Sequence, residues 1–212
     1  QFRLSALTFC PWGFRRLEID REALAGGVFA LSAAAGIFPD GLLFDMPEAD
    51  PLPAPRPLEG SWEQDQEWLD VYLAVPEYRP GTTNVSLARR EHDARYRAEE
   101  LLRRDENTGL AEQPVQVARK NARILVGGEA NEGCTALRVA RVRRDKEAGY
   151  GLDARFIPPL LDLAASDYLM AIARRLVELL AAKSSALAGT RRQRSQSLAD
   201  FGIADVGSFW LL

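Results

Sequence analysis

Adjacent carboxylates at Glu99-Glu100 and Asp105-Glu106 are the first groups in this chain that could share a proton. General acid–base work needs two such groups converging on one point. Neighbours in an extended segment face opposite ways, so these pairs read as solvated strand ends. His92, the single histidine, sits in the charged surface stretch Arg90-Glu91-His92-Asp93. Cys10 and Cys134 are far apart and lack a CxxC context, and one histidine cannot complete a four-ligand zinc site. They read as two buried thiols in a reducing compartment. No nucleophile elbow, P-loop or dinucleotide fingerprint is present. Gly26-Gly27 and Gly127-Gly128 bound strands and need no ligand. Arg138, Arg141, Arg143 and Arg144 could face a phosphate backbone, but nearby acids make a solvated sheet face the better reading. The expectation is no catalytic residue, no cofactor and no metal.

Composition agrees. The 212 residues carry a net charge of −3, with 47% hydrophobic and 27% charged residues. That is an ordinary soluble composition. A dedicated nucleic-acid binder is usually basic over its whole domain, so no nucleic-acid partner is expected. Arg174, Arg175, Glu178 and Lys183 interrupt the longest apolar stretch, which argues against membrane insertion. No signal peptide is apparent. The chain starts at Gln1 and stops at Phe209-Trp210-Leu211-Leu212, which reads as a piece cut at both ends.

The elements up to Phe156 read as short strands and turns. Residues 13–19 form a strand, with an acidic turn at Asp20-Arg21-Glu22. A second strand follows at Val28-Phe29-Ala30-Leu31. Pro39-Asp40-Gly41 has turn chemistry, and extended structure resumes at Leu42-Leu43-Phe44. Residues 46–60, with five prolines, read as a polyproline-like surface loop or sheet edge. From Trp68 to Val75 the pattern alternates, with Leu69, Val71, Leu73 and Val75 on one side. Residues 78–84 read as a loop. Residues 96–104 read as a strand, because Asn107-Thr108-Gly109 has hairpin chemistry. Residues 115–126 alternate as one further strand. Residues 134–142 pair an inward set of Ala136, Arg138, Ala140 and Val142, or their neighbours, with arginines opposite. Strands at this spacing indicate an antiparallel sandwich.

A hard boundary follows at Phe156-Ile157-Pro158-Pro159, because adjacent prolines end a strand and cannot sit inside a helix. Beyond it lies a Leu/Ala-rich helical pattern over residues 166–187. Ser166 suits the N-cap and Asp167 the first turn. Leu169, Ile172, Leu176 and Leu179 form one apolar stripe, while Met170, Ala173, Val177 and Leu180 form another. A helix of about 22 residues spans about 33 Å. Gly189 is expected to stop it. Arg191, Arg192 and Arg194 suit the end of a helix, and residues 198–212 begin a second apolar helix. Leaving Leu169, Ile172, Leu176, Leu179 and Leu180 in water would forgo on the order of 10 kcal/mol, as an upper estimate. These five residues are therefore expected at an oligomer interface, in a helical bundle of several copies.

Several segments also occur in a familiar order. They are Pro11-Trp12-Gly13-Phe14 with Leu17-Glu18-Ile19-Asp20, and Gly36-Ile37-Phe38-Pro39-Asp40-Gly41 with Phe44 and Pro47. Then come Val71-Tyr72-Leu73-Ala74-Val75-Pro76, Arg95-Tyr96, Phe156-Ile157-Pro158-Pro159-Leu160-Leu161-Asp162 and Phe209-Trp210-Leu211-Leu212. This series resembles the TssK family, also named ImpJ or VasE, of the type VI secretion baseplate. The resemblance spans essentially the whole chain.

It implies a β-sandwich shoulder like that of phage receptor-binding proteins, followed by a helical neck that helps hold a trimer. It further implies that the shoulder anchors to TssF and TssG. A C-terminal head, lying beyond this chain, would contact TssL and TssM of the membrane complex. The family is not enzymatic. On this reading residues 1–157 form the shoulder, residues 158–212 begin the neck, and Phe156, Ile157, Pro158 and Pro159 are the hinge between them. The protein would work in the cytoplasm, at the inner face of the inner membrane. Two other readings compete: a phage tail or receptor-binding adaptor, and a carbohydrate-binding sandwich using Trp62, Trp68 and Tyr72.

Overall fold

In the computed structural model, residues 11–62, 66–87, 93–131, 133–145 and 149–195 are described, the last seven of them by backbone alone. The chain is mainly β, with one long helix at the C-terminal side. It divides into two compact units, Gln1–Tyr168 and Leu169–Leu212.

Two sheets enclose the core of the first unit. In one, β1 (Gly13–Ile19), β3 (Leu31–Ile37) and β4 (Leu43–Met46) lie in the order β1-β3-β4. In the other, β6 (Trp68–Pro76) lies between β10 (Arg123–Val126) and β11 (Cys134–Asp145), and β12 (Gly149–Leu152) forms the far edge. All these pairings are antiparallel. β2 (Val28–Phe29) pairs with β5 (Arg56–Pro57). A third sheet joins β7 (Val85–Ser86), β8 (Tyr96–Arg104) and β9 (Glu112–Lys120), with β7 parallel to β8.

The alternation of β6 puts Leu69, Val71, Leu73 and Val75 in the core, each no more than 1% exposed. They meet Phe14, Phe38, Phe44 and Met46 from the first sheet and Leu137, Val139 and Val142 from β11. The phenylalanines pack edge to face, with Phe14 and Phe44 centroids 5.8 Å apart at 79°.

Five expectations need correction. Asp20-Arg21-Glu22 is not a bare turn. Asp20 caps a short helix, α1 (Arg21–Ala25), by accepting from the amides of Glu22 and Ala23. The proline-rich stretch is partly a packed element, because Leu58 is fully buried and Arg56–Pro57 pairs with β2. Residues 115–126 are not one strand. The run breaks at Asn121, which is buried and donates its side-chain amide to the Ala94 carbonyl at 2.9 Å. The halves fall into different sheets. In β11 a bulge between Arg138 and Ala140 shifts the inward phase, so Leu137 and Val139 face the core while Arg138 does not. Finally, Gly189 does not stop the long helix, α2, which runs over Asp167–Ser195, 29 residues. That is about 43 Å of helix. The end of that helix takes in Arg191, Arg192 and Arg194, and residues 198–212 lie outside the described residues.

One buried ion pair ties the turn after β3 to the second sheet. Arg95 is 4% exposed, contacts Asp40 at 2.6 Å and donates to the Pro76 carbonyl at 3.0 Å. A guanidinium supplies several fixed donors, so one side chain serves a carboxylate and a carbonyl together.

Candidate functional site

Within the second unit, the helix carries its apolar residues into solvent. Ile172, Leu176, Leu179 and Leu180 are 41%, 55%, 50% and 66% exposed, and Leu169 is half-buried. Val177 and Leu187 are exposed as well. Arg175 and Glu178 form an ion pair 3.2 Å apart, but both are largely exposed, so it contributes little. Ser166 has extended backbone just before Asp167, as an N-cap requires.

The proline segment belongs to the first unit, and it is clasped to β1. The Phe14 amide donates to the Pro159 carbonyl at 2.8 Å, and the Leu161 amide donates to the Phe14 carbonyl at 2.8 Å. Gly13 makes this approach possible. A Cβ there would lie 2.8 Å from the Pro159 carbonyl carbon and oxygen, and its φ is +126°. Pro158 is buried, Ile157 is 42% exposed, and the Arg138 guanidinium lies over the Phe156 ring at 4.6 Å.

The arginine-rich strand is occupied with internal pairing. Arg138 and Arg141 both donate to Asp70 across the sheet. Arg141 also lies over the Trp68 ring at 6.0 Å. The other aromatics considered for sugar stacking are half-buried. Trp62 packs against Tyr150, with centroids 6.1 Å apart, and Tyr72 is paired in register with Arg138. Glu99 pairs with Arg119 at 2.7 Å. His92 and Cys10 lie outside the described residues, and Cys134 is a half-buried free thiol. Among the described residues, no group of three or more His, Cys, Asp or Glu side chains could hold a metal ion. No described helix is long and apolar enough to cross a membrane.

One apolar surface escaped the sequence reading. The β8–β9 hairpin exposes Leu102, Val115 and Leu110 by 66%, 44% and 92%. Leucines adjacent in a strand cannot both face one core. The pair Leu101-Leu102 was the available signal.

The turn of that hairpin is built by Asp105, whose carboxylate accepts from the Thr108 hydroxyl at 2.8 Å and the Asn107 amide at 2.9 Å. The Thr108 hydrogen bond, followed by that of Asn107, holds its pKa below the ordinary value. A depressed carboxylate stabilises the fold above the unfolded value of about 3.9 and loses that effect as pH falls through its lower folded value. Thr108→Val is therefore expected to raise the Asp105 pKa toward the ordinary value. An NMR titration that finds Asp105 unmoved by this substitution contradicts the assignment.

A profile of the bacterial type VI secretion family that includes EvfL, ImpJ and VasE matches residues 1–212. The chain belongs to that family. The type VI secretion baseplate component TssK1 of Pseudomonas aeruginosa is 33% identical over 213 residues, covering 99% of this chain and 46% of that protein. A solved baseplate complex of the type VI secretion system superposes with a TM-score of 0.83 at 30% identity, over 100% of this chain and 49% of the other. A TssK-TssF-TssG baseplate subcomplex superposes at 0.77 with 30% identity, over 100% of this chain and 66% of the other. The chain thus spans about half the length of the curated TssK relative. Its mainly β fold with a C-terminal helix is the fold of these TssK structures.

Proposed function

We propose that this chain is the shoulder and the start of the neck of a non-enzymatic baseplate adaptor of a type VI secretion system. The carrying observation is the family match along its entire length. The relatives named above are baseplate components, and one of them is solved together with TssF and TssG. In this reading residues 1–157 are the shoulder and residues 158–212 begin the neck. The proline segment, Phe156 to Pro159, is the junction between them. Leu169, Ile172, Leu176, Leu179 and Leu180 hold three copies together through the neck. The exposure of four of these leucine and isoleucine side chains in the single chain supports that role.

The shoulder anchors to TssF and TssG. A head domain beyond residue 212 links the trimer to TssL and TssM at the cytoplasmic face of the inner membrane. The test is co-purification of the full-length protein with the TssF–TssG pair encoded beside it. The three proteins are expected to elute as one complex, and removal of the head is expected to leave that complex intact. Failure to bind TssF–TssG favours the phage-type adaptor instead.

A further inference from the structure

Two surfaces of the first unit remain unexplained by the neck, and they complement each other. The first is the outer half of the β8–β9 hairpin. Its ties to the rest of the fold sit at its base, where Arg119 donates to the Ala49 carbonyl at 3.1 Å and Lys120 reaches both Asp50 oxygens. Beyond that base about five residue pairs project, or about 17 Å of ribbon. Isolated two-stranded ribbons are marginally stable in water and gain stability when a face is covered. Leu102 faces Pro114 across the ribbon, and Leu101 faces Val115. Pro114 has no amide to donate, so this stretch of the β9 edge is unsuited to strand addition. The ribbon must instead be covered on its faces and tip. That outer half carries Glu100, Asp105, Glu106 and Glu112 against Arg103 and Arg104.

The second surface is an open groove of about 1260 Å³ beside β1. β1 is an edge strand, and residues 159–161 cover it only at Phe14. Leu17, Ile19, Val139, Leu152 and Phe156 supply apolar walls. The groove is continuous with a shallower one through Tyr150, Gly151 and Leu152. Together they are lined by six arginines, at 15, 16, 21, 141, 143 and 155. The carboxylates lining them are Glu18, Asp153 and Asp167. A local excess of positive charge is unusual on a chain whose net charge is −3.

We propose that the hairpin tip of one copy docks in the β1 groove of a second copy. An acidic tip bearing Leu102 and Leu110 fits a basic groove with apolar walls in both sign and polarity. Two different patches of one chain make a head-to-tail contact, which closes into a ring when the rotation allows. A cyclic trimer has that symmetry, so the contact sits beside the helical neck without replacing it. Each hairpin then braces its neighbour's edge strand.

The test is cross-linking of the full-length protein with Cys10 and Cys134 replaced by Ser. Ser32 lines the groove and is exposed, and Leu110 is 92% exposed, so neither substitution removes a core contact. The variant carrying both Ser32→Cys and Leu110→Cys is expected to give covalent dimers and trimers on oxidation, while each single variant stays monomeric on a denaturing gel. Glu106→Arg with Glu112→Arg is expected to lower the yield about tenfold, and adding Arg143→Glu with Arg155→Glu to restore it. Monomer alone, disulfides between two Leu110→Cys tips, or capture of another baseplate protein each overturn the proposal. The native mass of the same sample, read by light scattering, reports separately on the neck.

Discussion

Replacing Leu176 and Leu179 together by aspartate in the full-length protein is expected to convert a trimer into monomers. Each leucine forgoes about 1.5–3 kcal/mol when it cannot be buried. Two per protomer amount to about 3–6 kcal/mol, or a weakening of association on the order of 10²–10⁴-fold. The true loss is larger, because a carboxylate carried into an apolar seam must be desolvated without a partner. The sandwich should be spared, since both residues belong to the second unit and are half or more exposed in the single chain. Light scattering together with thermal melting separates the two effects. A trimer of unchanged mass sinks the neck assignment, and a collapsed melting temperature shows that the helix serves the sandwich instead.

Gly36→Ala is expected to cause the greatest loss of stability from the smallest change. A Cβ at Gly36 would lie 2.2 Å from the Gly13 carbonyl oxygen and 2.9 Å from the Phe44 ring. The first of these is backbone held in register by the β1–β3 pairing, so no side-chain rotation relieves it. The second belongs to the packed phenylalanine cluster. Forced overpacking of this kind costs about 1–3 kcal/mol in ordinary cores and more where backbone must move. A loss of about 4 kcal/mol corresponds to a fall of roughly 10 °C in melting temperature for a unit of this size. Calorimetry on the Gly36→Ala protein decides it, and a melt within a degree or two of the parent refutes the geometry. Gly36→Ser should fare no better, because the clash begins at the first side-chain carbon.

The parts of the fold that were legible in the sequence are those where pattern and packing agree. β6 alternates because one of its faces lies in the core, and its four inward residues could be named from spacing alone. The turn chemistry of Asn107-Thr108-Gly109 overrode the helical composition of residues 96–104, and the hairpin forms there. Misreadings arose where a distant contact decides. Asn121 carries no turn signal, yet a hydrogen bond to Ala94 across the fold breaks the strand there. The bulge in β11 reverses the inward phase without any change in residue type. Gly189 costs a helix interior about 1 kcal/mol, too little to stop a helix already long. The apolar excess of the long helix was readable, because hydrophobic spacing needs no partner to be seen. The groove was not, since its lining is gathered from β1, β3, β11, β12 and residues 153–168.

The clasp between Phe14 and residues 159–161 also sets a path for mechanical load. A tension applied to the helix travels along the chain to Pro159 and meets two short hydrogen bonds at a residue that is fully buried. It does not meet a slack tether. Force therefore enters the sandwich at its centre, through a strand whose other edge is paired along its length with β3. Parallel strands pulled along their length resist by shearing several bonds at once rather than unzipping them singly. A pull on the neck is thus delivered to the sandwich as a whole, as a tow line made fast to a keel moves the hull.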